Sequence, residues 1–352
     1  MGFELSSGNG TPNIVATLVM LSWVPFVLWL FTRFPARQAV ITSFIASWLF
    51  LPVVQLELIG LPDYTKTSAT AYSILLATFI FDVERFKRFK FGVLDIPIAI
   101  WCVCPLFSSL SNGLGLYDGI TGALSQTMTW GIPYFLGRIY LDDIVGLRQL
   151  AFGIFAGGLI YIPLCLYEVR MSPQLHNMLY GGHAHDFAQT IRLGGFRPTV
   201  FMSHGLELAA WMTSALLIGT WLWYTKSGRL LFGIPLNVSV PILFLTFIAI
   251  RSTGAYFLFA LGFSILLFGV IFRSALPVYA CVVGIFAYLA INSLTDSYIS
   301  DQIIDFMSAL LPPDRVGSLE FRFNNEEILA DKARQRILFG WGGWGRNRIY
   351  DA

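Results

Sequence analysis

Residues 231–273 read LFGIPLNVSVPILFLTFIAIRSTGAYFLFALGFSILLFGVIFR, two long apolar runs that meet at a short polar corner around Arg251. A helix needs about 20 mostly apolar residues to cross the hydrocarbon core of a membrane. Two such runs in direct succession predict two antiparallel membrane helices. The polar corner that joins them is then expected at one face of the membrane.

The whole chain shares this apolar character. Of its 352 residues, 56% are hydrophobic and 12% are charged, whereas about a quarter of the residues of a soluble domain are charged. A water-soluble enzyme, a disordered chain and a nucleic-acid-binding protein are therefore excluded. We predict an all-α fold, a polytopic transmembrane bundle of about ten spans, from apolar runs at residues 13–31, 38–60, 68–81, 92–109, 119–137, 149–168, 200–224, 231–250, 254–272 and 275–293.

The basic residues predict the orientation of the bundle. Short cytoplasmic loops carry an excess of Lys and Arg, so we assign to the cytoplasm the alternate loops that hold eleven of the 23 basic residues. These are Arg33, Arg37, Arg85, Lys87, Arg88, Lys90, Arg138, Arg148, Lys226, Arg229 and Arg273. Both ends of the chain then lie outside, and Lys66 is the only basic residue in the first outer loops.

The outer face nevertheless holds the other twelve basic residues, ten of which are arginine. Because an arginine at membrane depth costs a few kcal/mol, Arg251 is expected to face a cavity or a partner. The arginines of the last segment could instead form solvated ion pairs with its nine acidic residues.

Two outer segments are long enough to have structure of their own. The first, 169–199, belongs to the transmembrane bundle of residues 1–293. The second, 294–352, is predicted to form a large periplasmic loop of one or two amphipathic helices, which Pro312 and Pro313 separate. The four cysteines, Cys102, Cys104, Cys165 and Cys281, lie within apolar runs and indicate no disulfide framework.

Four arginines, Arg170, Arg192, Arg197 and Arg251, are predicted at the outer interface. Their guanidinium groups stay charged and match the geometry of phosphate oxygens. Such a cluster suits the anionic head group of a lipid. If that lipid carried a diphosphate-linked sugar, the arginines would stabilise the charge of the departing diphosphate without a metal or another cofactor.

All four histidines lie between His176 and His204. His183, His185 and Asp186 could form a metal site, but their spacing matches no known ligand pattern. We therefore expect no metal, and we expect His176, His183 and His185 to be solvated loop residues.

His204 precedes Glu207 by three residues and Trp211 by seven, which would place all three on one helical face. A carboxylate beside an imidazole suits a general base near neutral pH. The alternative is a polar pair that satisfies itself inside the bundle. Glu168, at the outer end of the sixth run, is the other candidate base, unless it pairs with an arginine.

Several of these residues occur in a recognisable order. Tyr167-Glu168 closes a span, Arg192-Leu-Gly-Gly195 precedes the polar stretch 202–207, Arg251-Ser252-x-Gly254 joins two spans, and Phe339-Gly-Trp-Gly-Gly343 ends a long outer segment. Over residues 150–350 this order resembles the bacterial O-antigen ligase and O-antigen polymerase superfamily.

The resemblance implies metal-independent transfer of a glycan from undecaprenyl diphosphate to the hydroxyl of a glycan or lipid acceptor. The transfer would take place at the periplasmic face of the bacterial inner membrane, in the synthesis of lipopolysaccharide or exopolysaccharide. Arg192 and Arg251 match the family's arginines that hold the lipid diphosphate. Arg170 and Arg197, and then Arg346 and Arg348, are additional candidates without a motif match. Segment 294–352 matches the family's large periplasmic loop.

Two departures from the family pattern bear on this assignment. The ligase branch has a functional histidine in the large loop, and 294–352 contains none, which favours a polymerase or a general role in polysaccharide assembly. Members also continue into further spans after this loop, so the resemblance implies a sequence that extends beyond Ala352.

A transporter or flippase that moves a lipid-linked anionic saccharide without chemistry is the alternative function. A transporter is expected to have ionisable residues near the bilayer midplane, often in repeated halves. Polar residues within the apolar runs are few (Asp95, Gln126 and Asn237), and no repeat is visible. A structural scaffold, the third possibility, leaves the arginine excess unexplained.

Overall fold

The structure is a computed structural model that describes residues 3–4, 12–56, 63–183, 187–192, 194–227, 230–294, 300–309 and 313–342. Helices account for 78% of these residues and there is almost no sheet, which confirms the all-α prediction. The α-helices of the described residues are α1 (Ile14–Arg33), α2 (Ala36–Phe50), α3 (Lys66–Phe81), α4 (Ile96–Ser111), α5 (Leu116–Gln126), α6 (Ile132–Tyr140), α7 (Ile144–Met171), α8 (Leu175–Tyr180), α9 (Gly205–Tyr224), α10 (Leu236–Ala249), α11 (Thr253–Phe272), α12 (Leu276–Leu294), α13 (Ser300–Ser308) and α14 (Pro313–Arg334).

The strands are two residues long and pair antiparallel. A three-stranded sheet contains β1 (Phe3–Glu4), β2 (Gln55–Leu56) and β3 (Tyr64–Thr65). One hairpin pairs β4 (Ile191–Arg192) with β5 (Gly195–Phe196), and another pairs β6 (Leu230–Leu231) with β7 (Ile234–Pro235).

Five helices of the described residues are long and apolar enough to cross a membrane: Ile14–Arg33, Val93–Ser111, Ile144–Met171, Gly205–Tyr224 and Thr253–Phe272. Two shorter apolar helices cover Leu236–Ala249 and Leu276–Ile291. These helices indicate a membrane protein.

The predicted number of ten spans is not confirmed. Helix α2 ends at Phe50, because Pro52 follows its C-cap and cannot continue a helix. The predicted fifth span, in contrast, is helical throughout, because residues 116–140 form α5, a π-helical turn at Thr127–Gly131, and α6 without a gap. The polar residues Ser125, Gln126 and Thr127 lie where the π-helical turn begins.

By contacts, the chain divides into two compact units. The first comprises Met1–Ile98 and Thr127–Leu266, and the second comprises Ala99–Gln126 and Leu267–Ala352. Residues 99–126 and 267–293 thus belong with the last segment, whereas the sequence predicted a boundary at 294.

Close helix packing holds the first unit together, and glycines on α7 permit it. A Cβ atom on Gly157 would come within 2.9 Å of both Leu49 on α2 and Trp211 on α9. On Gly158 it would come within 2.6 Å of the Ala215 Cβ. Small residues allow helix backbones to approach in this way within membranes, and α7 therefore fixes α2 and α9 relative to each other.

In the second unit, α14 packs against α12 and α13. The Tyr288 hydroxyl donates a hydrogen bond to Glu326 at 2.9 Å, and the Asn112 side chain donates to the Gly340 carbonyl at 3.0 Å. Of the predicted one or two helices of this segment, the described residues contain two: α13 ends at Ser308, and α14 begins at Pro313. The four cysteines are free thiols.

The polar residues within the predicted spans lie at helix ends. Asp95 directly precedes α4, where it accepts hydrogen bonds from Gly92 N–H (2.7 Å), the Tyr134 hydroxyl (2.6 Å) and Arg138 Nε (3.0 Å). Gln126 is the last residue of α5, and Asn237 lies in the first turn of α10. Asp95 therefore forms a helix-end ion pair.

Candidate functional site

The starts of α3 and α9 and the ends of α2, α7 and α10 meet at one end of the first unit, which we call the site end. The Tyr180 hydroxyl donates to the Phe50 carbonyl (2.6 Å), and the ring of Phe201 packs against those of Phe50 and Tyr180. Residues 194–207, which we call the site segment, pass through this end. The segment carries or contacts most of the residues singled out in the sequence.

Glu168 is fully buried and anchors the site segment. Its Oε2 atom accepts hydrogen bonds from the N–H groups of Thr199 (2.8 Å) and Val200 (2.7 Å), and Oε1 accepts one from Leu175 (2.9 Å). Val200 has a φ of 53°, a left-handed conformation that is unfavourable for a β-branched residue. Because backbone amides occupy both carboxylate oxygens, the geometry favours an anchoring role for Glu168 over that of a base.

Arg197 is buried beside the start of α9. Its backbone N–H donates to the Thr190 carbonyl at 2.7 Å, and its aliphatic stem lies over Gly205, where a Cβ atom would come within 2.3 Å of the arginine Cδ. Glycine at position 205 therefore provides the space that this arginine occupies.

Gly195 is in contact with Arg251 and is the hairpin partner of Arg192. A Cβ atom on Gly195 would lie 1.6 Å from Nη1 of Arg251, so the guanidinium packs directly on the Gly195 backbone. Arg192 is the register partner of Gly195 in the β4–β5 hairpin and is exposed. Arg251 has a φ of 59° at the corner between α10 and α11. The two predicted diphosphate-binding arginines are thus brought together around one backbone position.

His204 lies just outside α9, and the prediction that it shares a helical face with Glu207 is wrong. Its φ of −151° and ψ of 148° are extended, and the helix begins at Gly205. His204 instead caps the helix, with Nδ1 accepting a hydrogen bond from Leu206 N–H at 2.9 Å. A neutral ring that accepts at Nδ1 carries its proton on Nε2.

Glu207 folds back onto Ser203. Its Oε2 atom accepts hydrogen bonds from Ser203 N–H (3.0 Å) and from the Ser203 hydroxyl. Both contacts use the same oxygen, which leaves Oε1 to accept a proton.

Lys66, at the start of α3, was not predicted as a site residue. Its Nζ atom lies 3.4 Å from the Phe201 carbonyl oxygen and 5.8 Å from the centre of a ring of Trp48. Burial lowers the pKa of the Lys66 ammonium to about 8, and the charge of the Glu207 carboxylate opposes this shift. The one sequence signal was its position as the only basic residue in the first outer loops.

His176 is buried, so the prediction of a solvated loop residue is wrong for it. Its Nε2 atom accepts a hydrogen bond from Val53 N–H at 3.1 Å, and Nδ1 lies 2.6 Å from the Gly182 carbonyl, to which it donates. Burial, the largest cause, lowers the pKa of His176. This neutral ring ties α8 to the chain after α2.

The remaining candidates lie apart from these contacts. His183 is half-buried with its ring 5.8 Å from that of Phe187, and Arg170 is exposed on the last turn of α7. His185, Asp186, Arg346 and Arg348 lie outside the described residues. Within the part of the chain that the structure describes, no group of His, Cys, Asp and Glu residues is arranged to hold a metal.

The site segment contains Arg197 and ends at Glu207. It is bordered by Arg192, Arg251 and Lys66. Comparisons of the chain with family models, characterised proteins and solved structures found no match. Function must therefore be inferred from the chemistry of the residues at the site end.

Proposed function

We propose that the protein is a membrane glycosyltransferase similar to the O-antigen ligases and polymerases. It would transfer or polymerise a glycan from an undecaprenyl-diphosphate carrier onto an acceptor hydroxyl. The observation that carries the proposal is the pair Arg251 and Arg192 around Gly195.

The two guanidinium groups suit a diphosphate for physical reasons. Each stays charged at every accessible pH and offers parallel N–H donors to phosphate oxygens. Because Arg251 packs on the Gly195 backbone, its position is set before the substrate arrives. Preorganised donors of this kind stabilise charge that develops on a leaving group.

The proposed step needs one base. The oxygen of the acceptor hydroxyl forms a bond to the anomeric carbon of the transferred sugar, and the bond between that carbon and the diphosphate oxygen breaks. The diphosphate leaves with the electron pair, and Oε1 of Glu207 receives the hydroxyl proton.

The opposite end of the first unit supports a periplasmic location for the site end. That end carries Arg37 at the start of α2, Arg85 in a helical turn after α3, and Arg138 in the last turn of α6. Basic residues that flank membrane helices in this way lie on the cytoplasmic side by preference. In a bacterial inner membrane the site end would then face the periplasm, where lipid-linked glycans are assembled into lipopolysaccharide or exopolysaccharide.

Reconstitution tests the proposal. The purified protein in phospholipid vesicles is given a labelled polyprenyl-diphosphate oligosaccharide and an unlabelled acceptor glycan, and labelled products are separated by size. We expect a longer or transferred glycan and released polyprenyl diphosphate. Movement of the labelled lipid between leaflets without any glycan product would overturn the proposal in favour of a flippase.

A further inference from the structure

We infer that Lys66 is a positioning residue of the transfer site, whose ammonium holds the Phe201 carbonyl in place and so sets, through residues 201–207, the orientation of the base Glu207. This inference rests on the proposed function. It adds to the site a residue from α3, far from the site segment in sequence.

The geometry places Lys66 against the backbone of the site segment. Its ammonium donates to the Phe201 carbonyl at 3.4 Å, and the charge of Glu207 raises the pKa of Lys66 against the effect of burial. Phe201 and Glu207 lie on either side of Ser203, which itself donates twice to Glu207. Lys66 thus holds the segment from one side while Glu168 anchors it from the other through Thr199 and Val200.

The charge of Lys66 is sensitive to pH in a useful range. Among the described residues, Glu207 on α9 favours its charged form, whereas the nearby His176 on α8 is neutral and Trp48 on α2 is uncharged. The carboxylate of Asp63, three residues before Lys66 in the sequence, accepts a hydrogen bond from the side-chain amide of Gln55. With a pKa of about 8, the ammonium is present at neutral pH and is lost as the pH rises further.

A purely structural role predicts a different outcome from a positioning role. Lowering the pKa of a lysine by burial means that the charged form is disfavoured in the folded protein, so the folded chain at neutral pH bears a penalty that an apolar side chain would remove. If Lys66 serves the reaction, its replacement by methionine should impair transfer without lowering the melting temperature. If Lys66 serves only the fold, the transfer rate and the melting temperature should fall together.

The kinetic test compares Lys66→Met and Lys66→Arg with Lys87→Met, a control lysine that is exposed and pairs with Glu84 at the opposite end. We expect Lys66→Met to reduce the turnover number about 10- to 100-fold, as a misplaced base would, with an unchanged KM for the lipid donor. Lys66→Arg should restore turnover and remove the loss of wild-type activity above about pH 8. Normal turnover in Lys66→Met would overturn the inference. An equal loss of turnover in Lys66→Met and Lys66→Arg, with an unchanged pH profile, would overturn it as well.

A second measurement does not depend on transfer. Amide hydrogen exchange of residues 201–207 should be faster in Lys66→Met than in the wild type at the same pH, and near wild-type in Lys66→Arg and Lys87→Met. If neither the wild type nor any variant transfers glycan, the proposed function fails, and the exchange rates alone decide whether Lys66 holds residues 201–207 in place. Exchange of these residues at the wild-type rate in Lys66→Met would overturn the inference about Lys66.

Discussion

The two ends of the first unit use the same residue types in different ways. At the opposite end, each of three arginines is paired with an aspartate: Arg37 with Asp143 at 2.7 Å, Arg85 with Asp82 at 3.1 Å, and Arg138 with Asp95 at 3.0 Å. At the site end, the carboxylates of Glu168 and Glu207 accept hydrogen bonds from backbone amides and a serine. Two arginines of this end lie against glycines, Arg251 on Gly195 and Arg197 on Gly205.

This difference separates a structural end from a candidate binding end. At the site end, Glu168 and Glu207 accept hydrogen bonds from backbone amides. The Arg251 guanidinium packs on the backbone of Gly195, which is the hairpin partner of Arg192. The two ends therefore differ in what their carboxylates bind: arginine side chains at the structural end, and the backbone of the site segment at the binding end.

The largest effect is expected from Glu168→Ala, which breaks the anchor of the site segment. Three backbone N–H groups lose their acceptor in a buried site, and we expect the free energy of unfolding to fall by about 3–5 kcal/mol. Thermal unfolding in detergent measures the change. Asp143→Ala at the opposite end removes a half-exposed carboxylate that pairs with Arg37 and caps α7 through Gly146 N–H, and should cost about 1–2 kcal/mol. Equal losses in the two variants would break the comparison.

Arg251→Ala tests the binding end itself. Loss of a preorganised donor to the departing diphosphate should reduce transfer by about 10²- to 10³-fold. The matched variant Arg37→Ala removes an arginine that pairs with Asp143 at the structural end, away from the site segment. It should leave the rate within about threefold, because a single ion pair with a half-exposed aspartate contributes little. Rates are measured with the reconstituted protein and the lipid-linked donor. Similar losses in both variants would mean that the arginines act through the fold.

Gly195→Ala tests the contact between Arg251 and Gly195 without removing the arginine. The new Cβ atom would lie 1.6 Å from Nη1 of Arg251, and because the guanidinium is the end of a flexible side chain, it should move away while the fold persists. We expect a roughly 10-fold loss of transfer, smaller than that of removing the arginine, with an unchanged melting temperature. Gly254→Ala is the control, since a Cβ atom added there would have no neighbour within 4 Å; a wild-type rate in Gly195→Ala would exclude a role for the packed position.

The helices were predictable from the sequence because a membrane helix is determined locally, by one apolar run. In contrast, the capping position of His204 was missed because the apolar pattern extends across residue 200 and hides the helix start at Gly205.

The contacts of the site depend on partners far apart in the chain. Glu168 was visible as a carboxylate at a span end, but its amide donors come from two later segments. Lys66 meets Phe201 only because α3 and α9 start at the same end of the unit. Arginines near a membrane face signal an anionic ligand from sequence alone, whereas the group that positions the base requires the tertiary fold.

The smallest effect concerns His176, which ties α8 to the chain after α2 at the site end. Its pKa is lowered from 6.5 by burial, so below that pH the unfolded chain binds a proton that the folded chain does not. Stability should therefore be fully present above pH 6.5 and fall as the pH decreases, by at most about 1.4 kcal/mol per pH unit. Melting temperatures between pH 7.5 and pH 5 should show this slope in the wild type and in His183→Gln, a half-buried histidine of the same loop. His176→Gln should reduce the slope of melting temperature against pH, because the amide can keep one hydrogen bond but cannot titrate. An unchanged slope in His176→Gln would assign the acid sensitivity to other groups.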